Sequence, residues 1–244
     1  MCLIVPEDME KIDNWACKPH HEENQPKHLA YKVGLALLEH DCSRGTGVLY
    51  QIRRSFFHPM YENGQLSYRV KNNVVRKTMR GNGKGIYKPM DFLVSAKHEV
   101  EIIWRLLKVL PTKDCCHYLH ANIPKQIGED PECSCDMIFL NEVDQKRWRV
   151  TDQVWFKRQK MSREALEGLV REICKLAENK EDHTNGDIRC TVMTSLAMAK
   201  LSPDQVNMFS KSMPAQQECY KRLGEQMTEK QNLPSNCSNF CFWS

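Results

Sequence analysis

The run Met60-Tyr61-Glu62-Asn63-Gly64-Gln65-Leu66-Ser67-Tyr68-Arg69-Val70 decides the fold. Apolar and aromatic residues flank a central Asn-Gly, the dipeptide that tolerates the positive φ angles of a two-residue hairpin turn. The pattern predicts a strand from Val48 to Met60, a turn at Glu62-Asn63-Gly64-Gln65 and a returning strand from Leu66 to Val75.

Helical spacing surrounds this hairpin. Residues 1–28 are polar and histidine-rich, with Pro6, Pro19 and Pro26 expected to break any long helix. Leu29 to His40 reads as a first helix, ended by Ser43-Arg44-Gly45-Thr46-Gly47. Downstream, Lys97 to Val109 reads as a helix with Val100, Ile103, Trp104 and Leu107 as its apolar stripe, stopped by Pro111. Arg147 to Lys157 alternates as a strand: Trp148, Val150, Val154 and Phe156 fall on one face, and Arg147, Arg149, Gln153, Trp155 and Lys157 on the other.

Beyond Ser162, a plausible N-cap, the texture becomes helical. Leu166, Leu169, Val170, Ile173, Leu176 and Ala177 form one stripe, Asn185-Gly186 breaks it, and a second helix covers 187–199. Ser202-Pro203-Asp204 opens a third. The expected class is α+β: a basic antiparallel-sheet-containing body followed by a C-terminal helical segment. The expected divisions are a polar segment with the first helix (1–44), the basic body (45–160), the helical segment (161–231) and a flexible tail (232–244).

At 244 residues the chain suits one large domain or two small ones, and 41% hydrophobic with 27% charged residues is ordinary for a soluble globular protein. No apolar run approaches the roughly 20 residues of a membrane span. Met1-Cys2-Leu3-Ile4-Val5-Pro6-Glu7-Asp8 lacks the basic start of a signal peptide. An intracellular, nuclear or cytoplasmic location is therefore expected, and the twelve cysteines read as reduced thiols.

Charge is distributed unevenly. Twelve lysines and arginines stand against four acids in residues 51–108, a surplus of eight in a chain whose net charge is +4. Such a field attracts polyanions whatever fold carries it. Arg69, Lys71, Arg76, Lys77, Arg80 and Lys84 are the expected phosphate contacts, leading into the loop Gly81-Asn82-Gly83-Lys84-Gly85. A second basic stretch adds Arg147, Arg149 and Lys157, with Trp155 as an exposed ring able to stack a base. The competing reading is a solvated charged face with Trp155 packed inside.

The glycine loop fails as a nucleotide loop. Thr78 stands where the first P-loop glycine belongs, and Gly85 stands where Ser or Thr must follow the lysine. Zinc is the cofactor the cysteines allow, with Cys116, His120, Cys133 and Cys135 as the ligand set; buried thiols are the competing reading. No H-E-x-x-H, G-x-S-x-G or C-x-x-C pattern occurs, so any active site must be assembled from distant residues. Cys241-Phe242-Trp243-Ser244 has the outline of a prenylation signal, but Trp243 is bulky for its position and no basic residue precedes it in 231–240.

The expected function is non-enzymatic nucleic-acid or chromatin-associated binding by the basic strand and glycine-rich loop. The alternatives are an interaction adaptor that associates through residues 162–230, and an enzyme with a nonlocal site.

Overall fold

The Asn63-Gly64 pair turns the chain as expected. In the computed structural model, which describes residues 3–18, 26–41, 49–72, 90–111, 136–143 and 155–199, Asn63 has φ 52° and Gly64 φ 78°. The flanking strands β1 (Phe57–Glu62) and β2 (Gln65–Asn72) pair antiparallel from Phe57↔Val70 to Glu62↔Gln65. The first strand is shorter than expected, because Arg54–Phe56 forms a single 3-10 turn ahead of it. A third strand the pattern did not reveal, β3 (Met90–Val94), pairs antiparallel with β2 from Tyr68↔Val94 to Asn72↔Met90.

Alternation then sorts the three-stranded sheet into two faces. Phe57, Tyr68, Val70 and Val94 are buried on one, with the Phe57 and Tyr68 rings meeting edge to face at 6.2 Å. His58, Arg69, Lys71, Asp91 and Leu93 are exposed on the other. Helix α3 (Lys97–Val109) packs against β2. Its buried stripe is rotated from the expected one: Glu99, Val100, Ile102, Ile103, Leu106 and Val109 face inward, while Trp104 is 48% exposed. The 3.6-residue period places either set on one side, and only the neighbouring sheet selects between them.

The chain divides into two compact units. Pro19–Gly34 and Gly47–Leu166 form the sheet-bearing unit; Met1–Lys18, Leu35–Thr46 and Glu167–Ser244 form the helical one. The sheet-bearing unit also holds a two-stranded antiparallel sheet of β4 (Leu140–Glu142) and β5 (Phe156–Lys160). Ser162 accepts a hydrogen bond on Oγ from the Ala165 backbone N–H at 3.2 Å, so the expected cap stands at the start of the short helix α4 (Arg163–Glu167).

Helix α1 (Pro6–Cys17), in the helical unit, begins at Pro6, and α2 (Pro26–Asp41) begins at Pro26, so neither proline falls inside a helix. Proline's missing N–H is harmless in the first turn, so these prolines start helices. The expected stripe after Ser162 is cut at Gly168, where α5 (Leu169–Leu176) begins; it buries Leu169, Val170, Ile173 and Cys174. Asn185-Gly186 opens α6 (Asn185–Met198), because Thr184 and Asp187 form a reciprocal capping box just there. Ile4 donates its backbone N–H to Thr191 Oγ1 at 3.0 Å, tying the N-terminal segment to α6. Mixed helices with small antiparallel sheets make the fold α+β. No helix among the described residues is long and apolar enough to cross a membrane.

Candidate nucleic-acid interface

Arg69 and Lys71 occupy alternate positions of β2 and therefore share the exposed face of its sheet. Arg69 is engaged by a carboxylate on the next strand: Nε donates to Asp91 Oδ1 at 2.8 Å and Nη2 to Oδ2 at 2.9 Å. This two-pronged hydrogen bond, and then the charge of Asp91, hold the guanidinium pKa above its usual value. A phosphate meeting Arg69 must compete with Asp91 or bind beside it.

Lys157 and Arg158 are adjacent exposed residues of β5, in the other sheet. Trp155 does not join them. It is 6% exposed, donates its backbone N–H to Val109 O at 3.0 Å and accepts one from Val143 N–H at 3.0 Å. Arg105 covers its ring at 5.7 Å from the centroid. The expectation of an exposed, base-stacking Trp155 is thus corrected. The strand face assigned by alternation changes at its start, where Trp155 lies before the first paired residue and both Trp155 and Phe156 turn inward.

Arg76, Lys77, Arg80 and Lys84 with the glycine loop, and Arg147 and Arg149, lie outside the described residues. So do Cys116, His120, Cys133 and Cys135, the helix expected from Ser202, and Cys241. Among the described residues, no group of three or more His, Cys, Asp or Glu side chains is placed to hold a metal ion.

The pattern missed Tyr50. Lys160 Nζ sits 3.5 Å from the centroid of its ring, and Arg163 Cζ sits 5.7 Å from the same centroid. Nothing local in the sequence marks this meeting, because Tyr50 precedes β1 while its two cations bracket the turn from β5 into α4. Arg54 has a different role. Its Nη2 donates to the Leu107 carbonyl at 3.2 Å in the last turn of α3, where a cation complements the helix dipole. Burial lowers its pKa, and nearby Asp136 partly offsets the shift. Asp136 in turn accepts a 2.7 Å hydrogen bond from Ser55 Oγ. Arg54 therefore serves the fold more than the surface.

No family model and no curated protein sequence matches the chain. Solved structures do. The chain is similar to the XerH site-specific recombinase bound to palindromic difH substrate in a post-cleavage complex, at TM-score 0.56 and 15% identity, covering 94% of this chain and 52% of that one. The pre-cleavage complex of XerH with difH substrate gives TM-score 0.55 and 16% identity over 94% and 53% of the two chains. The XerA recombinase gives TM-score 0.50 and 11% identity over 96% and 64%. The chain spans about half the length of the XerH chains it matches. At these identities the likeness concerns the α+β fold.

Proposed function

We propose that this chain binds duplex DNA through the cationic surface of its sheet-bearing unit. The observation that carries the reading is the exposed pair Lys157 and Arg158 on β5, followed within one turn of chain by Lys160 and Arg163. Arg69 and Lys71 supply further cations on the exposed face of β2. Support comes from the fold, which resembles that of XerH, named as a site-specific recombinase in structures with bound difH substrate. Lysine and arginine on strand surfaces contact phosphates without reading sequence, so they set affinity and its salt dependence first.

Four phosphate contacts predict that affinity for duplex DNA falls about a hundredfold between roughly 50 and 200 mM salt. Fluorescence anisotropy with a labelled duplex measures this directly. Affinity indifferent to salt, or no binding at the lower salt, rejects the proposal.

A second reading is that the chain also breaks DNA strands, as part of a recombinase-like enzyme. It is favoured by the fold likeness over 94% of the chain to a protein named as a site-specific recombinase. Incubation with supercoiled plasmid tests it: nicked or relaxed product supports the reading, and intact supercoils at saturating protein count against it.

A further inference from the structure

We infer that Tyr50, Lys160 and Arg163 form a positioned clasp for one backbone phosphate of duplex DNA, with Tyr50 as the positioning residue. The inference rests on the DNA-binding reading and identifies where in the sheet-bearing unit one contact is made.

Two cations share one neutral ring. Lys160 Nζ lies 3.5 Å and Arg163 Cζ 5.7 Å from the Tyr50 centroid, which places the two charges no more than about 9 Å apart, within the Debye length of about 10 Å at 0.1 M salt. Two cations gathered this closely present a concentrated positive field to an approaching phosphate. The ring supplies what a pair of long surface side chains lacks. A cation over an aromatic face is attracted by its quadrupole, so the ammonium and guanidinium are drawn toward one place before any ligand arrives. That lowers the side-chain entropy lost on binding.

The chemistry of the three groups matches a phosphate diester. The guanidinium presents a planar fork that meets two phosphate oxygens, the ammonium adds a compact charge, and a tyrosine hydroxyl is a common phosphate donor. The backbone places them well. Lys160 ends β5 and Arg163 begins α4, so the intervening Met161-Ser162 turn brings both side chains to Tyr50. Met161 anchors that turn: it is buried and donates its backbone N–H to Phe139 O at 2.9 Å. Lys157 and Arg158 are exposed earlier on the same strand.

The test uses the full chain, a labelled random-sequence duplex and the dependence of log Kd on log salt. Lys160→Ala and Arg163→Ala are each expected to weaken binding, and the two together to reduce the slope by about one phosphate contact. Tyr50→Ala, which removes no charge, is expected to reduce the slope as well, and Lys160→Ala added to Tyr50→Ala should add little. Tyr50→Phe keeps the ring and should preserve the slope, with at most a severalfold loss of affinity from the missing hydroxyl. Lys108→Ala serves as the control, because that lysine lies over Trp104 on α3 and is expected to leave the slope unchanged. Circular dichroism and thermal midpoints confirm that each variant folds. A wild-type slope in the Lys160→Ala/Arg163→Ala double variant overturns the clasp while leaving DNA binding intact. A wild-type slope in Tyr50→Ala alone overturns the positioning role. A wild-type chain that binds no duplex at low salt overturns the proposed function, and the clasp with it.

Discussion

Replacing Asp8 by alanine is expected to destabilise the helical unit by about 3 kcal/mol, the scale for stranding one partner of a buried polar pair. Asp8 lies in the first turn of α1, with Oδ2 3.3 Å from His183 Nε2 and Oδ1 3.6 Å from Lys11 Nζ. The Asp8 and His183 side chains are 8% and 4% exposed, so water replaces little of what a substitution removes. A hydrogen bond of this kind is worth about 4–6 kcal/mol in an apolar medium, before the cost of drying its partners. Desolvation of two buried groups cancels most of it, and the measurable quantity is the cost of leaving the survivor alone.

That cost differs between the partners. Asp8→Ala leaves a buried ring nitrogen without its acceptor. His183→Ala leaves Asp8 with Lys11, whose side chain is 40% exposed, so its loss should be nearer 2 kcal/mol. Urea unfolding of the wild type, both single variants and the double variant, followed by circular dichroism, gives the coupling. About 2 kcal/mol is expected, and coupling below about 0.5 kcal/mol would refute the idea that this pair fastens α1 to the segment before α6.

Three further outcomes are expected. Cys17 is exposed whereas Cys174 and Cys190 are buried, and burial pushes the Cys174 thiol pKa up. Alkylation of the native chain with peptide mapping should therefore modify Cys17 and spare the other two; rapid labelling of Cys174 would contradict the packing of α5. Burial, then Lys32 and Lys27, holds the His28 pKa below its usual 6.5. The unfolded state then binds this proton more readily, so stability is lost as pH falls through 6.5 toward the depressed value and returns as pH rises. His28→Gln should flatten that part of the thermal-midpoint profile, and an unchanged profile would acquit His28. Finally, Trp104→Phe should lower the iodide-quenchable share of the fluorescence and Trp155→Phe should not; the reverse result would mean the two environments have been exchanged.

The hairpin was legible because its information is local. Asn63 and Gly64 must accept positive φ, and that demand shows in two adjacent residues. The Ser162 cap was legible for the same reason, since one hydroxyl meets a backbone N–H three residues ahead. Strand β3 was missed because Met90–Val94 has little alternation of its own and becomes a strand by pairing with β2. Pro6 and Pro26 do interrupt the helical run, and because proline forbids helix on its N-terminal side only, they also begin α1 and α2.

The expected site divided along the same line. Arg69, Lys71 and Lys157 are exposed as the charge pattern required, but their partners were hidden. No spacing rule announces that Asp91 would grip Arg69 from β3, or that Tyr50 would gather Lys160 and Arg163.

The amino-acid sequence by itself determined the α+β class, the turn at Asn63-Gly64 and the concentration of positive charge, because each depends on residues close together along the chain. Tertiary structure alone decided which of Trp104 and Trp155 faces solvent. Trp104 lies on a helix with two acceptable apolar faces, and Trp155 sits at a strand end where alternation has not begun. Packing against β2 settled the first, and backbone pairing with Val109 and Val143 settled the second. Burial depends on what lies across the core, and those neighbours come from distant parts of the chain.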